Sequence, residues 1–334
     1  MMYLVTGSTG LIGSFICRAM LKAGYSLRGL RRKTSDMSLV ADIQNEIEWV
    51  EGDLLDIVNL EKNMQGVKGV IHSAAFISYD SRDEALMQKI NVEGTANIIN
   101  VSLKQDVTHF LHMSSVAAVG KKVSDNLVDE THTITPNDNL TGYARSKWLA
   151  EVEVWRAVAE GLPAVVLNPS LVLGPGSLDK SSTQVFKYVW NEKRFYTSGI
   201  VNYVDVRDVA EVALRAIDRE ITDERFIVSA RSISYQQLFE TIAKFLDKRP
   251  PNIKINASVI KGISKLDRIR TLITQQKPLV TDELAQVARN SHTYDNEKVQ
   301  KTLGMEFRSL NETIQWCCEQ LVKKEEETNL KSPQ

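Results

Sequence analysis

Tyr143 and Lys147 are two residues whose types and spacing could carry out acid–base chemistry. They stand four residues apart in a stretch with a helical pattern, and this spacing puts two side chains on one face of a helix. A free phenol has a pKa of about 10, and lowering it by roughly three takes about 4 kcal/mol. An ammonium about 4 Å away supplies roughly that energy at an effective dielectric constant near 20. We therefore expect Lys147 to lower the pKa of Tyr143 far enough for proton transfer.

A serine pair offers the hydroxyl donor that such a proton transfer needs. Ser114 and Ser115 follow the apolar run 110–113, which is predicted to be a strand. Open α/β sheets place their sites at the carboxyl ends of strands. We expect Ser115 to hold the oxygen of a carbonyl or hydroxyl substrate while Tyr143 moves the proton. Ser114 is instead expected to serve the local turn or a bound cofactor.

A glycine-rich turn could bind a diphosphate where the first predicted strand meets the first predicted helix. Glycines at these spacings allow a tight turn, let the backbone approach phosphate, and let the helix pack closely on the sheet. The helix N-terminus adds unpaired N–H groups and the positive end of the helix dipole. Because the run lies between a strand and a helix, it predicts a dinucleotide site. The run is Thr6, Gly7, Ser8, Thr9, Gly10, Leu11, Ile12 and Gly13.

The end of the second predicted strand indicates which dinucleotide binds. An acidic residue usually holds the ribose diol of NAD at this place, but this chain has Arg31 and Arg32 there. Guanidinium groups pair well with a 2′-phosphate, and such a contact contributes about 1.5–3 kcal/mol. We therefore predict NADP as the cofactor, with NAD and a merely solvated basic strand end as the alternatives.

Residues after the third and fourth predicted strands are also candidate cofactor contacts. Asp53 either accepts a hydrogen bond from the adenine amino group, with Leu54 beside the ring, or caps the next helix. Ala74 and Ala75 are small enough for the backbone to run beside the cofactor, although close packing of sheet and helix would also explain them. Asn91 is expected to fix its helix, to hold a water near the lysine, or to act as a buried structural amide.

Alternating strand and helix patterns predict the fold. Strands separated by helices require crossover connections and hence a parallel sheet covered on both faces. This is an α/β fold, a Rossmann-type doubly wound sheet with a smaller, mostly helical C-terminal substrate lobe. We expect the NADP-binding domain over 1–168 plus about 201–230, the substrate lobe over 169–200 and 231–325, and a solvated tail over 326–334. The strands are predicted at 3–5, 26–30, 47–50, 69–72, 110–113, 164–167, 201–204 and 225–228, and long helices at 11–23, 88–104, 142–160 and 234–247.

Composition excludes several classes of function. The 334 residues carry a net charge of −1, so neither nucleic acid nor an anionic membrane is an expected partner. Three cysteines without CxxC spacing, and five histidines without a metal-binding spacing, indicate neither a disulfide framework nor a metal site. The N-terminus lacks a signal-peptide pattern, and no window has the roughly 18 apolar residues of a membrane span. We expect a cytoplasmic protein with a small-molecule substrate.

The chain resembles the extended short-chain dehydrogenase/reductase family, within the NAD-dependent epimerase/dehydratase superfamily. The resemblance implies that Ser115, Tyr143 and Lys147 are catalytic. It also implies cofactor contacts from the glycine turn, Asp53, Ala74, Tyr143, Lys147 and the backbone from Pro169 through Leu171 to Val172, and commonly a homodimer through the helices that carry Asn91 and Tyr143. The matching motifs are TGxxGxxG from Thr6, Gly52-Asp53-Leu54, His72-Ser73-Ala74-Ala75, Asn91-Val92-x-Gly94-Thr95, Ser114-Ser115, Tyr143-x-x-x-Lys147, Asn168-Pro169-Ser170 and 204–210.

At two places this chain differs from the motifs of particular subfamilies, and these differences indicate which subfamily it resembles. Nucleotide-sugar dehydratases carry Thr-Asp-Glu where this chain has Ser115-Val116-Ala117, so the acid and base for elimination are missing. Many epimerases place asparagine where this chain has Leu171. The run 168–175 looks instead like dihydroflavonol reductases and 3β-hydroxysteroid dehydrogenases. We expect an NADPH-dependent reductase of a ketone or aldehyde; the alternatives are a nucleotide-sugar epimerase with tightly bound NAD and a regulatory protein that binds NADP without turnover.

Aromatic and apolar residues suggest a medium-sized, partly apolar substrate. Ordinary core packing is the competing explanation for each of them. The amphipathic stretch 259–273 is expected to be either a core-facing helix or a lid, and we favour the core-facing helix. The substrate candidates besides Ser115 are Phe76, Tyr79, Phe186, Trp190 and Tyr203, with Ile77, Leu171, Phe195 and Tyr196 as further apolar candidates.

Overall fold

A computed structural model describes residues 1–120, 127–136, 138–177, 181–255 and 292–331. The chain forms two units. Unit one comprises Met1–Ser170, Val206–Ser229 and Asp295–Glu306, and unit two comprises Leu171–Asp205, Ala230–Tyr294 and Phe307–Gln334. The predicted amphipathic stretch 259–273 lies outside the described residues.

Strands and helices alternate along most of the chain. The strands are β1 (Met2–Thr6), β2 (Ser26–Arg31), β3 (Ile47–Glu51), β4 (Gly69–His72), β5 (His109–Met113), β6 (Leu127–Val128), β7 (Ala164–Pro169), β8 (Leu171–Leu173), β9 (Phe195–Thr197), β10 (Ile200–Asp205), β11 (Glu224–Val228), β12 (Arg231–Ser234), β13 (Ile253–Ile255) and β14 (Thr293–Tyr294). The α-helices are α1 (Leu11–Lys22), α2 (Ile57–Asn63), α3 (Glu84–Met87), α4 (Gly94–Lys104), α5 (Gly142–Ala159), α6 (Gln184–Trp190), α7 (Val206–Asp218), α8 (Tyr235–Leu246), α9 (Glu297–Leu303) and α10 (Leu310–Lys331).

Unit one is built on a seven-stranded sheet in the order β11-β7-β5-β4-β1-β2-β3. Every neighbouring pair is parallel. Central strands such as β4 and β7 are buried along their whole length, as strands covered on both faces must be. The predicted Rossmann-type fold is therefore confirmed. The strand order reverses between β1 and β4, and that reversal is where such sheets bind ligands.

The predicted helix 88–104 is divided by a wider turn. Residues 88–93 form a π-helical turn between α3 and α4. Within it, the carbonyl of Asn91 accepts a hydrogen bond from the Thr95 hydroxyl at 2.5 Å. π-turns inside helices often occur at functional sites, and this one holds a side chain that reaches the candidate site described below.

Unit two contains a three-stranded sheet, β12-β10-β8, and a two-stranded sheet, β13-β9. Helices α8 and α10 pack on these strands, and α6 packs on α8. Because β10 pairs with β8 and β12, residues 200–205 belong to unit two and not to the predicted Rossmann domain. Conversely, α9 packs on β11 and α7 of unit one. The predicted tail at 326–334 is helical through Lys331, where α10 ends, and its solvated character stays a prediction.

The described residues lack two features that would have pointed to other functions. No described helix combines the length and the apolar character that crossing a bilayer requires. Likewise, the described part of the chain holds no group of three or more histidine, cysteine or acidic side chains placed to share a metal ion.

Candidate active site

The turn after β1 accepts only glycine at two positions. Gly7 has a φ of +65°, and a Cβ there would lie 2.7 Å from the backbone nitrogen of Ala74. A Cβ on Gly13 would lie 2.2 Å from the carbonyl oxygen of Gly7. No side chain caps the N-terminus of α1 at Gly10. The first N–H groups of α1, including those of Leu11 and Ile12, therefore suit an anionic group of a ligand.

A buried chain of hydrogen bonds joins this turn to the π-turn. The Thr6 hydroxyl accepts from the backbone N–H of Ala74 at 3.2 Å and lies 2.7 Å from Nδ1 of His72. Nε2 of His72 lies 2.9 Å from the Thr95 hydroxyl. That hydroxyl gives its proton to the Asn91 carbonyl, so Nε2 must donate and Nδ1 must accept. These bonds fix a neutral tautomer of His72 and hold Ala74 against the glycine turn.

Two buried histidines lie beneath the catalytic candidates. The His72 and His112 rings stack with centroids 5.4 Å apart. Burial, followed by the nearby charge of Lys147, lowers the pKa of His72 to about 3. The same causes hold the pKa of His112 well below its usual value, with His72 adding a smaller effect. Both rings are therefore neutral near pH 7, and sequence reasoning assigned a role to neither. The available signal was a histidine at the last position of β4 and at the position before the last in β5.

One of the two arginines at the end of β2 is paired with an acidic side chain of the neighbouring strand. The Arg31 guanidinium lies 3.5 Å from the Glu51 carboxylate of neighbouring β3. Arg32 is exposed, and its backbone N–H donates to the Ser35 hydroxyl at 3.0 Å. The two arginines therefore differ: the Arg31 side chain is held by a neighbour, whereas that of Arg32 extends into solvent.

Asp53 does not cap the helix that follows it. Its carboxylate accepts from the backbone N–H of Leu55 at 2.9 Å. The N-cap of α2 is Asp56, which accepts from Asn59. The capping alternative for Asp53 is therefore wrong. Leu54 is buried beneath α4, against Gly94, so its position beside an adenine ring stays a prediction.

Helix α5 brings Tyr143 and Lys147 to the end of β5. Thr141 caps the helix by accepting from the Ala144 N–H at 3.1 Å. Lys147 is buried, and its ammonium donates to the Met113 carbonyl at 2.8 Å. Burial lowers the pKa of Lys147 to about 8, and the charge of a glutamate one helical turn later opposes that change. Near neutral pH the Lys147 side chain is therefore mostly a charged ammonium, within about one pH unit of its pKa.

Tyr143 is held in its protonated form, contrary to the expectation that Lys147 lowers its pKa. Burial raises the pKa of Tyr143, and Tyr79 adds to this. A side-chain hydrogen bond with Ser115 acts in the opposite direction but is weaker. The physical reason is that the Lys147 ammonium is directed at a carbonyl of β5, while the phenol lies in a poorly solvated place. A protonated phenol is the form that can give up a proton.

Ser115 sits at the start of a short turn after β5. Its hydroxyl accepts from the Ala117 N–H at 3.1 Å, and its carbonyl accepts from the Asn168 amide at 2.8 Å. Helix α5 packs on this turn, and the Ser115 side chain is near enough to the Tyr143 phenol to act against the rise of its pKa. Ser114 is buried, with its N–H bound to the carbonyl of Leu167 at 2.7 Å, so it belongs to the sheet edge.

Asn91 acts as a structural amide, which was one of its three expected roles. Its side chain accepts from the Phe76 N–H at 2.7 Å and donates to the Phe76 carbonyl at 2.9 Å. It also donates to the Ser146 hydroxyl on α5 at 2.9 Å. These contacts fix the loop after β4, where the Tyr79 ring lies 6.2 Å from the Tyr143 ring. Phe76 and Tyr79 remain substrate candidates, next to Ala75, which is exposed.

Two of the substrate candidates in unit two are core residues. Phe186 and Tyr203 are each 1% exposed and lie in one apolar cluster. Leu171 pairs with Tyr203 across β8 and β10. Trp190 is partly buried against the same cluster, with the Lys248 ammonium 5.6 Å from its ring centre. The core-packing explanation therefore holds for Phe186 and Tyr203, and we correct their proposed contact with substrate. Pro169 ends β7 in unit one, and its cofactor contact stays a prediction.

The glycine turn at the strand reversal and the tyrosine–lysine pair beside β5 have the arrangement of the extended short-chain dehydrogenases/reductases. A family model described as the NAD dependent epimerase/dehydratase family matches residues 3–228, and the chain belongs to this family. By class the protein is therefore an NAD(P)-dependent oxidoreductase.

Relatives of similar length carry reductase names. A putative dihydroflavonol 4-reductase from Synechocystis sp. is 29% identical over 320 residues, which cover 93% of this chain and 92% of the relative. Cinnamoyl-CoA reductase 2 from Arabidopsis thaliana is 30% identical over 261 residues, which cover 74% of this chain and 78% of the relative.

Solved structures show the same fold. The crystal structure of gox2253 superposes with a TM-score of 0.84 at 29% identity, covering 97% of this chain and 98% of that one. UDP-glucose 4-epimerase from Thermotoga maritima superposes with a TM-score of 0.79 at 21% identity, covering 97% and 99%. At that lower identity the likeness concerns the fold alone.

Proposed function

We propose that this protein is an NADPH-dependent reductase that interconverts a carbonyl and an alcohol on a medium-sized, partly apolar molecule. The observation that carries the proposal is that α5 brings Tyr143 and the buried Lys147, whose ammonium donates to a carbonyl at the end of β5 at 2.8 Å, against the turn that begins at Ser115. A donor of hydrogen bonds and a protonated acid at one point are what the reduction of a carbonyl oxygen requires.

Each of the three residues has a distinct task in this proposal. Ser115 donates a hydrogen bond to the carbonyl oxygen and holds it. When bound, the reduced nicotinamide supplies the hydride to the carbonyl carbon. Tyr143 breaks its O–H bond and gives the proton to the same oxygen, so that an alcohol forms. The Lys147 ammonium must turn from the Met113 carbonyl toward the phenol to stabilise the tyrosinate that remains, and a proton taken up from solvent then restores the phenol.

The proposal of NADPH over NADH is supported by the basic end of β2. No acidic side chain ends that strand, and the next residue, Arg32, is exposed, so its guanidinium can meet a 2′-phosphate from solvent. Arg31 would first have to exchange its Glu51 partner for the phosphate. The separation of 3.5 Å and the exposure of Glu51 make that ion pair weak, so the exchange costs little. We propose that Arg32 provides more of the selectivity than Arg31.

Reduction is favoured over epimerisation by two features. The putative dihydroflavonol 4-reductase and the cinnamoyl-CoA reductases are named as reductases. At residue 171 this chain has leucine, which offers no hydrogen bond to a sugar diphosphate. Residues of the loop after β4, among them Phe76, the exposed Ile77 and Tyr79, would give the reacting carbonyl a partly apolar neighbour.

The test is the consumption of NADPH with a panel of ketones, aldehydes and acyl thioesters, with UDP-sugars alongside. We expect a carbonyl compound to be reduced and Tyr143→Phe to lower kcat by about 10²- to 10⁴-fold. Tyr25→Phe is the matched control, because its hydroxyl binds Asp218 outside the site. It should stay within about twofold.

Two outcomes would contradict the proposal. Full activity in Tyr143→Phe would remove the tyrosine from the chemistry. Conversion of a UDP-sugar without net cofactor oxidation would show that the protein acts as an epimerase and not as a reductase.

A further inference from the structure

A carboxylate is buried on the same helix face as the catalytic candidates. Glu151 follows Lys147 by four residues on α5, and Lys147 follows Tyr143 by four. Glu151 is only 2% exposed. Burying an ionised carboxylate is costly unless it is paired and hydrogen-bonded. We therefore expect Glu151 to have charged or hydrogen-bonding partners.

Both oxygens of Glu151 accept hydrogen bonds. Oε2 lies 3.2 Å from a guanidinium nitrogen of Arg225 on β11, and Oε1 accepts from the Asn168 amide at 2.5 Å. Arg225 is itself tied down, since it donates to the carbonyls of Glu130 at 2.8 Å and His132 at 2.9 Å. Two accepting oxygens beside a guanidinium suit the ionised form of Glu151, although burial raises its pKa.

Asn168 connects this carboxylate to the catalytic serine. Its amide nitrogen has two hydrogens. One goes to the carbonyl of Ser115 at 2.8 Å and the other to Glu151. Asn168 is the residue before the last in β7, whose six residues are all buried, and is itself 0% exposed. A single side chain on the sheet thus links the turn that holds Ser115 to the helix that holds Tyr143 and Lys147.

We propose that Glu151 and Asn168 are positioning residues, which together fix the Ser115 turn against α5 and keep Lys147 beside a negative charge. The inference rests on the proposed function, because it explains how the three catalytic residues are kept in register. We call the pair the Glu151–Asn168 bracket. Neither residue needs to touch substrate or cofactor for this role.

The charges around Lys147 make the bracket testable by titration. Lys147 faces Glu151 and Tyr143 on its own helix, and the His72 and His112 rings from β4 and β5. Glu151 is the negative group in this set, and its charge raises the pKa of Lys147 against the effect of burial. The ammonium is lost as the pH rises through that pKa of about 8. Without the Glu151 charge, the loss must occur at lower pH.

The experiment compares Glu151→Gln, Asn168→Asp and the double variant with the wild-type protein. Glu153→Gln is the matched control, since Glu153 lies on the same helix and pairs with Arg156 at 2.9 Å near the surface. The readouts are kcat and KM for NADPH-dependent reduction, the thermal midpoint Tm, and an NMR titration of the Lys147 ammonium, assigned with Lys147→Met.

For Glu151→Gln we expect kcat to fall about 10- to 100-fold through misplacement of the reacting groups, with KM within about twofold. The Lys147 titration should move down by about one pH unit. Glu153→Gln should change neither. Asn168→Asp places two carboxylates together and should lower Tm most. In the double variant the glutamine amide introduced on α5 can donate to the new carboxylate on β7, so Tm should recover, while the Ser115 carbonyl still lacks its donor and kcat stays low.

A purely structural role would give a different result. In that case kcat in the double variant would recover together with Tm, and the Lys147 titration would not move in Glu151→Gln; either result overturns the inference. Absence of carbonyl reduction in the wild-type protein would instead count against the proposed function. The Lys147 titration and Tm would still test the bracket, because neither needs a substrate.

Discussion

In unit one, buried polar side chains gather at the carboxyl ends of the central strands, whereas in unit two the buried cluster is mainly apolar and aromatic. The first group contains His72, Lys147, Glu151 and Asn168, each at most 2% exposed. The second is built around residues such as Phe186 and Tyr203, with Leu238 and Ile314. Lys147 in the first group and Phe186 and Tyr203 in the second were functional candidates from the sequence, and the members of the first group are hydrogen-bonded to one another or to the sheet.

The difference follows from the cost of burial. An aromatic side chain gains free energy when it is buried, so burial by itself says nothing about function. A buried lysine or glutamate loses hydration and persists only with specific partners. In this protein the buried Lys147 and Glu151 are both hydrogen-bonded, on the helix that carries Tyr143. The position of buried, hydrogen-bonded charges is therefore a better guide to the site than the position of aromatic residues.

The largest expected effect concerns the buried aromatic residues of unit two, which we expect to stabilise the fold without binding substrate. Phe186→Ala should lower the free energy of unfolding by about 3–5 kcal/mol through loss of packing, with KM within about twofold below the melting temperature. Chemical denaturation and initial-rate kinetics measure the two effects. Tyr79→Ala, next to Tyr143, should show the reverse: a clear rise in KM with a small change in stability. A rise in KM for Phe186→Ala would return that residue to the substrate site.

In unit one, the glycine turn after β1 is expected to affect dinucleotide binding more than stability. Gly13→Ala would press a Cβ against the carbonyl of Gly7, and we expect dinucleotide binding to weaken about 100-fold, or roughly 2.7 kcal/mol. Gly24→Ala is the control, because its Cβ would meet nothing within 4 Å although its φ is +87°. The control should cost about 1 kcal/mol of stability and leave binding, measured by calorimetry, unchanged. Equal effects of the two substitutions would contradict this account of the turn.

Local patterns were enough to predict the parts of the site that lie close in sequence. The parallel-sheet fold class, the glycine turn and the placement of Tyr143 and Lys147 on one helix face depend on residues within one βα unit or one helical turn, where spacing fixes geometry. The candidate serine could be placed because it follows a strand, and parallel strands end at a common edge. The structure confirms the fold and puts Ser115 beside Tyr143.

Contacts between distant segments could not be read from such patterns. His72 meets Thr6 across 66 residues, and Arg225 meets Glu151 across 74. The pKa of Tyr143 was predicted in the wrong direction for this reason. Spacing places Lys147 on the same helix face, but only the sheet reveals that its ammonium donates to Met113. Likewise Glu51, which holds Arg31, comes from the neighbouring strand.

The most direct test of the central claim is a titration of the protein with NADPH and with NADH, followed by nicotinamide fluorescence. It is carried out on the wild type, Arg32→Ala, Arg31→Ala/Arg32→Ala, and Arg28→Ala, a control on the same strand whose side chain pairs with Glu48. We predict that NADPH binds at least about tenfold more tightly, that Arg32→Ala removes most of the preference, and that Arg28→Ala keeps it. Equal affinities for NADPH and NADH, or a wild-type protein that purifies with tightly held NAD, would contradict the account and favour an epimerase.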